Sequence, residues 1–195
     1  MRLFVALDIA DNIRSRIDRF LDGVRGFAPE ARWMRPESLH VTLKFIGETP
    51  EENVEGIKQA LETIEADHFD LNLRGYGFFP SPRAPRVFWI GIHADLPLAS
   101  LASNVDLKLV PLNIQKEEHA YNPHLTLARA AGGSGPRHKR EDSGSNGSFQ
   151  RLQEKLAALP QPEFGTMAAR EFFLYRSQPL RGGSQYTKLA GFSLR

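Results

Sequence analysis

Leu39-His40-Val41-Thr42-Leu43-Lys44-Phe45 and its shorter echo, Pro123-His124-Leu125-Thr126-Leu127, carry the reading of this chain. In each, a histidine and a threonine stand two apart with aliphatic residues between and after them, the alternation of a half-buried β-strand. One face of each strand goes to a core. The other presents His40 with Thr42, or His124 with Thr126, about 6.5 Å apart at the usual strand rise. One phosphoryl group can touch both members of such a pair. The histidine and threonine content and the apolar fraction of the chain predict roughly 0.03 chance matches to this pattern, so two copies read as duplicated half-sites. Facing each other, they supply two imidazoles to one substrate. Imidazole titrates near neutrality, so one copy can accept a proton while the other donates one.

Outward from the motifs, residues 3–9 alternate as a strand, and Asp8 or Asp11 is placed to cap a helix whose stripe is Ile13, Ile17, Phe20, Leu21 and Val24. Residues 30–36 connect to the first motif strand, which Gly47 closes. Thr49 and Pro50 then read as N-cap and first residue of a second helix with Val54, Ile57, Ala60, Leu61 and Ile64 on one face. Residues 69–79 and 87–92 are two strands joined by a proline-rich turn, a hairpin pattern. A helix over 96–109 precedes the second motif strand, placed at 121–129. Residues 131–148 are glycine, serine and charge with almost no apolar side chain, and read as a flexible, solvated loop. A helix over 149–159 and strands over 164–175 and 185–194 complete the chain. The order implies a single α+β domain spanning 1–195. It has two pseudo-symmetric lobes, each an antiparallel sheet with helices on its outer face, and the active-site cleft lies between the sheets.

The chain has 195 residues, 25 basic and 23 acidic, and a sequence pI near 9.0. That balance tolerates a polyanionic partner without demanding one. The absence of cysteine excludes disulfides, thiolate zinc sites and cysteine nucleophiles, and fits a reducing compartment. Asp8 and Asp11 interrupt the opening apolar run before it could serve as a signal peptide, and no stretch approaches membrane-spanning length. A cytoplasmic protein without a membrane partner is expected, and a monomer.

Alternation puts Lys44 on the face of His40 and Thr42, a candidate phosphate contact or a solvated strand-end lysine. It points Arg129 away from His124 and Thr126 unless a strand end or bulge intervenes. Arg83 and Arg86 flank the proline-rich turn, either clamping a phosphate backbone or standing as solvated charges. Phe45, Phe88 and Trp89 read as core, whereas Trp33, Phe79 and Tyr121, next to loops, are candidate platforms for bases. His68, His93, His119 and His138 lack a following threonine and read as surface or packing residues. No histidine pair has a third ligand at zinc spacing, so no metal or other cofactor is expected. No phosphate-binding glycine loop with its lysine is present either, which argues against ATP as a partner.

The two His-x-Thr-x motifs resemble those of the 2H phosphoesterases. Closer likeness to the RNA 2′,3′-cyclic phosphodiesterases, also called 2′-5′ RNA ligases, is carried by Met1 to Leu7, Trp33 to Leu39, Phe79 to Arg83 with Pro85-Arg86-Val87, and Pro123 to Arg129. The resemblance implies a bilobal fold, RNA ends or cyclic nucleotides as substrate, and opening of the ring by in-line water to leave a 2′-phosphate. It implies His40 and His124 as catalytic acid and base, with Thr42, Thr126 and Arg129 on the phosphate. His124 is taken as base and His40 as acid, an order the near-symmetric motifs do not themselves distinguish. Weak 2′-5′ ligation would be the reverse reaction. An RNA-binding module without turnover, or the same chemistry on a small cyclic nucleotide such as ADP-ribose 1″,2″-cyclic phosphate, are the competing readings.

Overall fold

The computed structural model describes residues 1–131, 149–180 and 183–195. The loop expected over 131–148 lies outside the described residues apart from its first position, as does His138. Among the described residues nine strands and four α-helices follow in the order β1 (Arg2–Asp8), α1 (Asp11–Val24), β2 (Arg32–Trp33), β3 (His40–Glu48), α2 (Val54–Glu62), β4 (Phe69–Phe79), β5 (Val87–His93), α3 (Asp95–Leu109), β6 (His124–Arg129), α4 (Gln150–Ala157), β7 (Glu163–Ala169), β8 (Glu171–Leu180) and β9 (Gly183–Ser193). They form a four-stranded sheet, β3-β1-β8-β9, and a five-stranded sheet, β2-β6-β5-β4-β7, with every pairing antiparallel.

This is the expected α+β architecture, with a different division of strands. The segment read as one strand over 164–175 is two, split at Arg170: β7 joins the second sheet and β8 the first. The first sheet therefore takes strands from both ends of the chain. Residues 30–36, expected as connection, contribute the short edge strand β2 against β6. The two helix caps are also different. α1 begins after Ala10 with no side-chain cap, and the Asp8 carboxylate instead receives Tyr175 and Lys188. Thr49 bonds the carbonyl of Gly47, and a short 3₁₀ turn separates it from α2.

One continuous core joins Leu3, Val5 and Leu7 of β1 and Val41 of β3 with Leu71, Leu73, Phe88, Ile90, Leu125 and Leu127 of the second sheet. Helical stripes cover it, including Ile13 and Ile17 of α1 and Ile57 and Leu61 of α2. Burying this much apolar surface at about 25 cal/mol per Å² fixes which way each strand faces, because a one-residue slip would turn the stripe to solvent. The opposite face of the first sheet holds a separate small cluster, Phe4, Ala6 and Tyr175 with Phe173 and Tyr186 packed on it. His40 belongs to that second face. Among the described residues no helix is long and apolar enough to cross a membrane.

Candidate active site

The two motifs repeat as structure more closely than as sequence. In β3 the register to β1 runs Ala6 to Thr42 and then Val5 to Lys44, skipping Leu43. In β6 the register to β5 runs Trp89 to Thr126 and then Phe88 to Ala128, skipping Leu127. Each strand thus carries a bulge immediately after its threonine, and the burial pattern over His40–Phe45 is the same as over His124–Arg129. A bulge puts two consecutive residues on one side and reverses the alternation beyond it. Lys44 and Ala128 turn to the core, and Phe45 and Arg129 turn to the histidine face.

Three sequence expectations change as a result. Lys44 is not beside the histidines: it is 6% exposed, pairs with Asp106 of α3 at 2.6 Å and donates to the Gln115 carbonyl at 2.7 Å. Phe45, read as core, is 61% exposed, and it lies across from Phe4, whose ring is 4.8 Å from that of His40. Arg129 pairs with Val87, which pairs with Phe79, whose ring is 4.9 Å from that of His124. Directly paired residues share a face, so Arg129 shares that of His124.

Each imidazole is held in the same way. His40 Nδ1 lies 2.8 Å from the carbonyl of Ser38, and His124 Nδ1 lies 2.8 Å from the carbonyl of Asn122. A carbonyl only accepts, so Nδ1 carries the hydrogen in both rings and Nε2 is left to the site. Aromatic side chains wall both rings. Phe4, Tyr175 and Tyr186 surround His40, with the Tyr186 ring edge-on at 5.1 Å, and Phe79 and Trp89 flank His124 at 4.9 and 6.4 Å. Trp89, read as core, therefore belongs to the site, lying over Gly77, where a Cβ would come 2.1 Å from its ring. Trp33 is the reverse case: its indole donates to the Ala28 carbonyl and its ring packs on Phe88, so it is core and not a platform.

The two half-sites are fastened together. β3 and β6 lie against one another, and the Tyr121 hydroxyl donates to the Thr42 carbonyl at 2.9 Å, tying the approach to His124 to the strand of His40. Burial pushes the Tyr121 phenol well above its ordinary range, so it stays a donor. The Asp106 carboxylate that receives Lys44 also accepts the backbone N–H of Glu117, anchoring the loop that precedes Tyr121.

Both histidines titrate below their ordinary value, chiefly because burial disfavours the charged ring. The carbonyl bonds oppose this shift in both. Asp8, the cross-strand partner of His40, raises that histidine alone, while the Arg129 charge lowers both. His124 in turn lowers His40. Among the described residues no three His, Asp or Glu side chains gather closely enough to hold a metal ion.

The chain is similar to known proteins over nearly its whole length. The family described as LigT like phosphoesterase matches residues 7–89. An RNA 2′,3′-cyclic phosphodiesterase of Archaeoglobus fulgidus is 32% identical over 192 residues, 98% of this chain and 99% of that protein. One of Methanothermobacter thermautotrophicus is 30% identical over 196 residues, 100% of this chain and 99% of its own length. Among solved structures, Escherichia coli LigT complexed with 3′-AMP superposes with a TM-score of 0.76 at 28% identity, covering 99% of this chain and 97% of that one.

Proposed function

This chain belongs to the LigT-like, or 2H, phosphoesterases, and from that premise we propose that it hydrolyses RNA 2′,3′-cyclic phosphate ends to 2′-phosphates with its two histidines as base and acid. The observation that carries the reading is the matched pair of imidazoles, each with Nδ1 spent on a carbonyl and Nε2 left for a substrate. Binding alone needs no such pair. Relatives named for this activity support the substrate class.

A five-membered cyclic phosphate already holds its leaving oxygen in place. Opening it requires removal of a proton from water, delivery of a proton to the departing ribose oxygen, and donors on the phosphoryl oxygens. Nε2 of one neutral ring takes the water proton. Nε2–H of the other gives its proton to the leaving oxygen. Thr42 and Thr126 hydroxyls and the Arg129 guanidinium hold the phosphoryl oxygens, and the guanidinium charge opposes that building up in the transition state. The exposed ring of Phe45 offers a flat surface to the base of the terminal nucleotide.

His40 is the acid in this scheme. The Asp8 carboxylate, its cross-strand partner, favours the charged form of that ring against the burial that disfavours it, whereas no carboxylate acts on His124. No step calls for a metal or ATP. Strand joining through a 2′-5′ bond is not the reverse of this step but the same opening with the 5′-hydroxyl of a second RNA in place of water: its oxygen bonds to phosphorus as the bond to the 3′ oxygen breaks, one ring taking the hydroxyl proton and the other giving one to the 3′ oxygen.

The test is turnover of a dinucleotide with a 2′,3′-cyclic end by wild type, His40→Ala and His124→Ala. Both substitutions are expected to abolish hydrolysis while the substrate still binds. Retention of substantial turnover by either variant would overturn the two-histidine assignment. A product bearing a 3′-phosphate would overturn the direction of opening.

A further inference from the structure

We propose that Arg32 and Arg129 together form a two-arginine clamp in which Arg129 serves the reacting phosphate and Arg32 binds the backbone phosphate next to it, making this a second phosphate subsite for an RNA chain. The proposal rests on the reading above that the substrate is an RNA end. Arg32 and Arg129 are direct cross-strand partners in the β2/β6 pair. Their neighbours along the same two strands, Trp33 and Ala128, are likewise partners, and these face the core: Ala128 is fully buried and Trp33 packs on buried Phe88. By alternation Arg32 shares the face of Arg129, the face of His124.

Like charges directly opposite in an antiparallel pair repel, and a carboxylate beside them would offset this. None is here: among the described residues neither guanidinium makes an ion pair or a side-chain hydrogen bond. Both side chains are exposed, at the edge of the site. Two unneutralised guanidiniums on adjacent strands, about 4.8 Å apart at the backbone with long side chains free to diverge, match successive phosphates of one chain. Arg129 must lie toward the imidazoles, since its charge acts on both of them. Arg32, on the outer strand, is left for the neighbouring phosphate.

A 2′,3′-cyclic mononucleotide has one phosphate, and a dinucleotide with a cyclic end has two, so the pair of substrates isolates the subsite. With Arg32→Gln we expect the dinucleotide KM to rise about tenfold, the loss of one charge-assisted contact, with kcat unchanged and the mononucleotide within twofold of wild type. The salt slope for dinucleotide binding falls by about 0.7. Arg32→Lys restores the slope and part of the affinity. The thermal midpoint of the ligand-free Arg32→Gln protein equals or exceeds that of wild type, because a repulsion has been removed. Equal effects on both substrates, no effect on either, or a clear drop in thermal midpoint would each overturn the proposal. If wild type turns over neither substrate, the functional reading has failed instead. The clamp is then judged by binding of a labelled trinucleotide to wild type and Arg32→Gln: weaker binding by the variant supports it and equal binding rejects it.

Discussion

Replacing Lys44 by methionine separates what strand alternation alone suggests from what the bulged strand does. As a phosphate contact, Lys44 would affect substrate affinity and leave stability alone. In the structure its ammonium lies 2.6 Å from Asp106, with the two side chains 5% and 10% exposed. Removing one partner of a buried pair leaves the other charge uncompensated, at a cost of about 3–5 kcal/mol. Asp106 keeps its bond from the Glu117 N–H, which places the cost toward the lower end. At about 2–4 °C per kcal/mol for a chain of this size, Lys44→Met lowers the thermal midpoint by roughly 6–12 °C. Since a buried pair exchanged whole for apolar groups is often neutral, the double variant Lys44→Met, Asp106→Leu recovers most of that loss. The assay is reversible unfolding of the four proteins of this cycle, followed by calorimetry. A Lys44→Met protein as stable as wild type, with a raised KM as its only defect, would refute the reasoning.

Four further outcomes follow from the site. The kcat/KM profile of wild type is bell-shaped with its optimum on the acid side of pH 6.5, because both imidazoles titrate below their ordinary value. Arg129→Gln, which removes a charge that lowers both, moves that optimum upward while reducing the rate, as a pH series on each protein measures. Gly77→Ala drives a Cβ into the Trp89 ring, costing about 1–3 kcal/mol and lowering kcat, read by thermal unfolding and steady-state rates. Tyr121→Phe loses the bond to the Thr42 carbonyl, costs about 1 kcal/mol of stability and lowers kcat more than it raises KM, which steady-state kinetics resolve.

Much of this was legible in the residues. His40, Thr42, His124 and Thr126 share their faces as alternation requires, since Val41, Leu43, Leu125 and Leu127 are buried almost completely. The hairpin of β4 and β5 was marked by its prolines. What escaped was the bulge, which no glycine or proline announces in either motif. Only the structure shows that the exposed side chain beyond each threonine is the third, Phe45 and Arg129, a spacing that simple alternation forbids. Strand assignment escaped for another reason. β7 and β8 meet at Arg170 without a turn residue, and nothing local says that one serves each sheet. That choice depends on which apolar face each strand can complete, a property of the assembled core. The aromatic wall around His40 was likewise unreadable, because Phe4 comes from the first strand and Tyr175 and Tyr186 from the last two.

The most direct test is histidine-selective ¹⁵N NMR during titration with a nucleoside 2′-phosphate. One equivalent is predicted to shift the Nε2 resonances of His40 and His124 together, with the Nδ1 resonances showing attached hydrogen throughout. Perturbation of one ring alone, or of the two at different equivalents, would contradict a single phosphate held between them.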